Sequence, residues 1–171
     1  MSFEEEKDDS AVLLLDAIEK NSDNVYVFPT LHNIGDYMEL SAVTVLRMLQ
    51  KATTVCGIEA VIIDLPGAFS PFTETVLQES KKIVWVYTDS RNGRGKLELI
   101  KSDPYLKSRG ILSKSSYVLN RCLNKNSAEE FDAAFPVSES LSKVTKASMV
   151  LEMNQEFLKG CKAIAKEVGI L

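Results

Sequence analysis

The 171-residue sequence is poor in the residues that build metal and covalent scaffolds, with three cysteines and a single histidine. Cys56, Cys122 and Cys161 are odd in number and widely separated, which excludes a disulfide framework and the close spacing of a zinc site. A reduced, cytoplasmic compartment is the resulting expectation. His32 lies in a polar loop with Asn33 and Gly35 and reads as a loop residue rather than a catalytic base. No apolar run approaches the ~20 residues of a spanning helix, so no transmembrane segment is expected. The first residues, Phe3-Glu4-Glu5-Glu6-Lys7-Asp8-Asp9, lack the basic start and apolar core of a secretion signal. A formal net charge of -4 offers no general attraction for nucleic acid or anionic lipid. Internal repeats, low-complexity tracts and linkers are absent as well.

What is present is ordinary globular material, 45% hydrophobic and 26% charged. The length suits one α/β domain over residues 1–171, with an acidic, flexible segment at 1–10. The stretch that organises the rest is Gly57-Ile58-Glu59-Ala60-Val61-Ile62-Ile63-Asp64-Leu65-Pro66-Gly67. Its apolar run does not alternate, which predicts a strand buried on both faces in the middle of a parallel sheet. Pro66 and Gly67 end it. Asp64 would then sit at the strand's carboxyl end, either as a ligand-binding carboxylate or as a simple cap of the next turn.

Taken in order, residues 11–20 read as a short helix and Val25–Phe28 as a strand closed by Pro29. Ser41 caps a helix to about Thr53, with Val43, Leu46, Leu49 and Ala52 at helical spacing. A helix follows Ser70-Pro71-Phe72 and ends near Lys81. Lys82–Thr88 is a second apolar strand that empties into the polar loop Asp89–Gly93. A helix with Leu97, Leu99 and Ile100 comes next, then a short turn from Asp103-Pro104, closed by Gly110. Ser115–Leu119 is a strand that delivers Asn120 and Arg121 to its end. Ser127 caps a short helix containing Phe131, Phe135–Val137 is a minimal strand, and a last helix covers about 153–168 with Gly169 beyond it. Five strands separated by helical crossovers demand a mostly parallel sheet with helices on its faces, a three-layer αβα arrangement.

In such a sheet the carboxyl ends of the strands share one rim, where α/β folds bind ligands. Asp64, Thr88, Asp89, Asn120, Arg121 and Pro136 would line it. A carboxylate suits a hard cation or its waters, and a side-chain amide can read a base through paired donors and acceptors. The composition of the rim therefore suits a magnesium–nucleotide site.

The same residues resemble the second half of a ParA/MinD-type ATPase, a deviant P-loop class, and above all its CpaE-like pilus-assembly branch. The resemblance spans about residues 24–168. Val25–Pro29 is similar to the family's strand ending in Pro, and Val61-Ile62-Ile63-Asp64-Leu65-Pro66-Gly67 to its switch II strand and loop. Ile83–Thr88 matches the strand after that. Val118-Leu119-Asn120-Arg121 resembles the strand whose Asn meets adenine, and Phe135-Pro136-Val137-Ser138-Glu139-Ser140 the segment beside the base. The resemblance implies a P-loop NTPase (SIMIBI-like) fold, ATP and Mg²⁺ as cofactors, and nucleotide-dependent homo-oligomers. It also implies a role in spatial positioning or in pilus or secretion assembly through a protein partner. Asp64 would be the catalytic and metal-site residue, holding a water of the Mg²⁺ shell. Asn120, Arg121 and Pro136 would bind the nucleotide; the lesser alternative for Asn120 is a turn-former at a strand end.

The departure from that family is its phosphate loop. No G-x-x-x-x-G-K-[ST] occurs, and the family's P-loop strand would belong before residue 1. The resemblance thus implies a domain without that strand, inactive alone, whether as a fragment or as a shortened relative. Ser90-Arg91-Asn92-Gly93-Arg94-Gly95-Lys96-Leu97 is the nearest stretch and reads as a basic, flexible loop. Two alternatives stand beside this reading. One is a receiver-like domain in which Asp64 accepts phosphate, although the acidic pair and the late Lys-Pro of such domains are missing. The other is a non-catalytic protein-interaction module.

Overall fold

A computed structural model describes residues 18–20, 25–28, 35, 41–122, 129–136 and 155–170. The chain forms two compact units, Met1–Val76 and Leu77–Leu171. The expectations placed on residues 1–17, His32, Ser127 and Val137–Ser140 lie outside the described residues.

In the first unit, β1 (Glu19–Lys20) pairs antiparallel with β2 (Tyr26–Val27), Glu19 opposite Val27 and Lys20 opposite Tyr26. This corrects two expectations, since Glu19 and Lys20 are strand rather than helix and the Val25–Phe28 strand does not join a parallel sheet. A hairpin pair needs only a short connection, so local antiparallel pairing wins over a distant crossover. The helix α1 (Ala42–Cys56) begins as the sequence predicts. The Ser41 hydroxyl accepts from the Thr44 N–H at 3.1 Å, meeting one of the orphan donors of the first turn. It closes on Gly57 at φ 65°, a left-handed position where glycine carries no Cβ penalty.

The largest correction concerns residues 57–66, which lie outside helix and strand. Ile62 is 85% exposed, and Val61 and Asp64 are exposed beside it. Strand propensity is realised only against lateral partners that take up the backbone hydrogen bonds. Among the described residues this stretch has no ladder partner. Its apolar run is therefore a strand in composition only.

The helix α2 (Pro71–Glu79) carries proline at its first position, and the Ser70 hydroxyl accepts from the Thr73 N–H at 3.1 Å. The second unit holds the parallel sheet β3 (Ile83–Thr88), β4 (Ser115–Cys122) and β5 (Ala133–Pro136), in that order. Between β3 and β4 run α3 (Arg91–Ser102), α4 (Pro104–Ser108) and one 3₁₀ turn at Leu112–Lys114. The helix α5 (Gln155–Val168) ends at Gly169, φ 78°. Ala163, Ile164 and Glu167 of α5 close a crevice against Val84, Ser116 and Val118 of the sheet. The opposite face carries Tyr87 and Tyr117, and Lys101 of α3 places its ammonium 4.7 Å from the Tyr117 ring centre. Helices thus cover both faces, the three-layer α/β arrangement that the alternation of elements predicts.

The core of this unit is aliphatic, with Ile111 and Leu119 fully buried and Val118 at 2% exposure. Phe131 sits in a bend rather than on a helix, its ring 6.4 Å from that of Tyr87. The bend is held by Asp132, which accepts from the Tyr117 N–H at 2.6 Å and donates its own N–H to the Tyr117 carbonyl at 2.9 Å.

Tyr87 introduces a tension into this core. Its hydroxyl is buried and makes no hydrogen bond, and burial, with the Tyr117 phenol nearby, pushes its pKa up to about 12. Replacing both the hydroxyl and its desolvation cost, Tyr87→Phe is expected to raise stability at neutral pH by about 1 kcal/mol. The neutral phenol is favoured in the folded state. Stability held below pH 10, the ordinary value of the unfolded chain, therefore falls as pH rises from 10 through 12. Urea midpoints of both proteins across pH 7–12 check this. The wild-type midpoint should drop more steeply above pH 10, and equal slopes would show that Tyr87 is not the group responsible.

Candidate functional site

The carboxyl edge of the sheet is built by three strand ends and one helix start. Thr88 ends β3 directly opposite Asn120 of β4. Ser90 follows, donating its N–H to the Thr88 carbonyl at 2.8 Å and accepting from the Gly93 N–H at 3.0 Å with its hydroxyl. That contact starts α3 at Arg91 and corrects the expectation of a flexible loop over Ser90–Leu97. A serine immediately before a helical pattern is the signal that could have found this cap. Gly93 is there for space rather than mobility: a Cβ would lie 2.2 Å from the Thr88 carbonyl oxygen. Asp89, its side chain 11% exposed, faces Arg94 at 3.5 Å and draws the start of α3 onto the strand end.

Across the edge, β4 does not finish as a regular strand. The register with β5 shifts between Leu119 and Cys122, so that Val118 and Leu119 face Ala133 and Ala134 while Cys122 faces Pro136. Within that irregularity Arg121 adopts φ 56°, and it is a non-glycine residue. The left-handed region costs an L-residue roughly 1–2 kcal/mol, and such strain gathers where a strand end is being aimed. The Asn120 side-chain carbonyl accepts from the Arg121 N–H at 2.9 Å, which fixes its amide with the –NH₂ group directed away from that bond. Both residues are exposed, and Pro136 is half-buried on the neighbouring strand.

Of the residues expected at the rim, the structure brings Thr88, Asp89, Asn120, Arg121 and Pro136 to one edge of the second unit. Asp64 belongs to the first unit and stands outside any strand. As a single exposed carboxylate it has the donor chemistry of a Mg²⁺ site that is completed by waters and phosphates. Among the described residues no group of three or more His, Cys, Asp or Glu side chains is arranged to hold a metal.

The backbone strain gives a direct test. Arg121→Gly relieves the left-handed penalty and should leave stability unchanged within about 1 kcal/mol, because glycine adds unfolded-chain entropy. Arg121→Val places a β-branched residue where it is most strained and should cost about 2 kcal/mol. Equal denaturation midpoints for the two variants would remove the argument from strain.

No protein-family model matches the sequence, and no curated protein matches it. Among solved structures, the crystal structure of a ParA family ATPase from Chlorobium tepidum TLS superposes with a TM-score of 0.60. The match covers 98% of this chain and 75% of that one at 15% identity. The chain has a ParA-like fold. At that identity the shared property is the fold, a mixed α/β architecture around a parallel sheet. Within that fold, the end of β4 departs from a regular strand through its register shift and the positive φ of Arg121.

Proposed function

We propose that this chain is a nucleotide-binding domain of the ParA/MinD type, of the CpaE-like branch, serving spatial positioning or the assembly of a pilus or secretion machine. The observation that carries the reading is the end of β4. There Asn120 is presented at the carboxyl edge, with its side-chain carbonyl tied to the backbone and Arg121 held at positive φ. That is the place in a parallel sheet where a base is met, and the ParA-like fold supports it. In this reading Asn120 hydrogen-bonds the base, with Arg121 and Pro136 flanking it. Asp64 holds a water of the Mg²⁺ shell. The bound Mg–ATP would supply the charge and the γ-phosphate whose presence the loop after Asp64 senses. Homo-oligomers and a protein partner belong to the same reading, and the protein works in the cytoplasm.

The sequence has no G-x-x-x-x-G-K-[ST] motif, the loop whose backbone N–H groups and lysine cradle the β/γ-phosphates. Transition-state charge in phosphoryl transfer is stabilised by those groups, so this polypeptide by itself hydrolyses no ATP. An Asn–base contact is worth roughly 1–3 kcal/mol in the related setting of base readout. Residual affinity on that basis is about millimolar or weaker. Calorimetric titration with Mg–ATP is the test. Weak heats that shrink further in Asn120→Ala are expected. Micromolar binding lost in both Asp64→Ala and Asn120→Ala would overturn the inactive reading, and binding indifferent to Asn120 would overturn the site.

A further inference from the structure

We draw no further inference here: the strongest candidate, the outer edge of the parallel sheet along β3, where Val86 is 63% exposed and β4 is the one partner strand among the described residues, is an unpartnered apolar surface, and nothing in the structure shows what covers it.

Discussion

Gly93→Ala is expected to detach the start of α3 from the end of β3, at a cost of about 3 kcal/mol or more. The added methyl would meet the Thr88 carbonyl oxygen at 2.2 Å, with the Ser90 hydroxyl a further obstacle at 3.2 Å. The first of these is backbone, so no side-chain rotation relieves the clash. The helix must shift, and the shift breaks the cap that Ser90 makes to the Gly93 N–H. In helix propensity alone alanine would be favoured over glycine by about 1 kcal/mol. The two arguments therefore predict opposite signs for the same variant. Gly95→Ala supplies the control, because nothing lies within 4 Å of a Cβ there, and it should be neutral or mildly stabilising. Thermal and urea denaturation of the pair decide the matter. A stabilised Gly93→Ala protein would show that the close approach of α3 to β3 is absent in solution.

Leu119→Ala is expected to cost 2–5 kcal/mol, in the usual range for a fully buried leucine. Leu119 has no exposed surface and lies on β4 between two strands. A fall of that size is a large fraction of the stability of about 5–15 kcal/mol typical of a domain. Its position makes it informative beyond the core. It is the residue before Asn120 and marks the start of the register shift that ends at Cys122. Denaturant unfolding measures the loss, and amide exchange at Asn120 and Arg121 reports whether the strand end loosens with it. A loss under 1 kcal/mol would mean that the sheet is not packed around Leu119. Its neighbour Val118 provides an internal comparison, since Val118→Ala removes less volume from the other face and should cost less.

Much of the second unit was legible from residues alone, and the particular cases show why. The Ile83–Thr88 and Ser115–Leu119 strands are short apolar runs bounded by polar turn residues, with partners on the sheet beside them. Asp103-Pro104 states its own structure: the Asp103 carboxylate accepts from the Leu106 N–H at 3.0 Å, and Pro104 opens α4. In the first unit, Ser41 starts α1 by the same local chemistry. For these helix starts the deciding interaction lies within four residues of the signal, so a sequence reading has all the information it needs.

The reading of Ser90–Leu97 failed for a different reason. Two glycines and three cations suggested a loose loop, whereas one glycine answers to a carbonyl on another element. Glycine as space and glycine as freedom look alike until the neighbouring backbone is placed. The candidate site divides along the same line. Asn120, Arg121 and Pro136 could be assigned to one edge from the order of strands, but the bulge and the positive φ that shape that edge arise from how β4 and β5 fail to stay in register.

What the sequence by itself determined is the class of the fold and the local starts and stops of its helices. Alternation of apolar runs with helical periods requires a layered α/β structure, and caps act over a single turn. What only the tertiary structure decided is which apolar runs become strands. Val61–Ile63 and Val84–Val86 are both uninterrupted apolar runs, yet the second is paired with β4 while Ile62 stands 85% exposed outside any ladder. The physical reason is that a strand's backbone hydrogen bonds are made to another strand, so its existence is settled by a partner distant in the chain and not by its own residues.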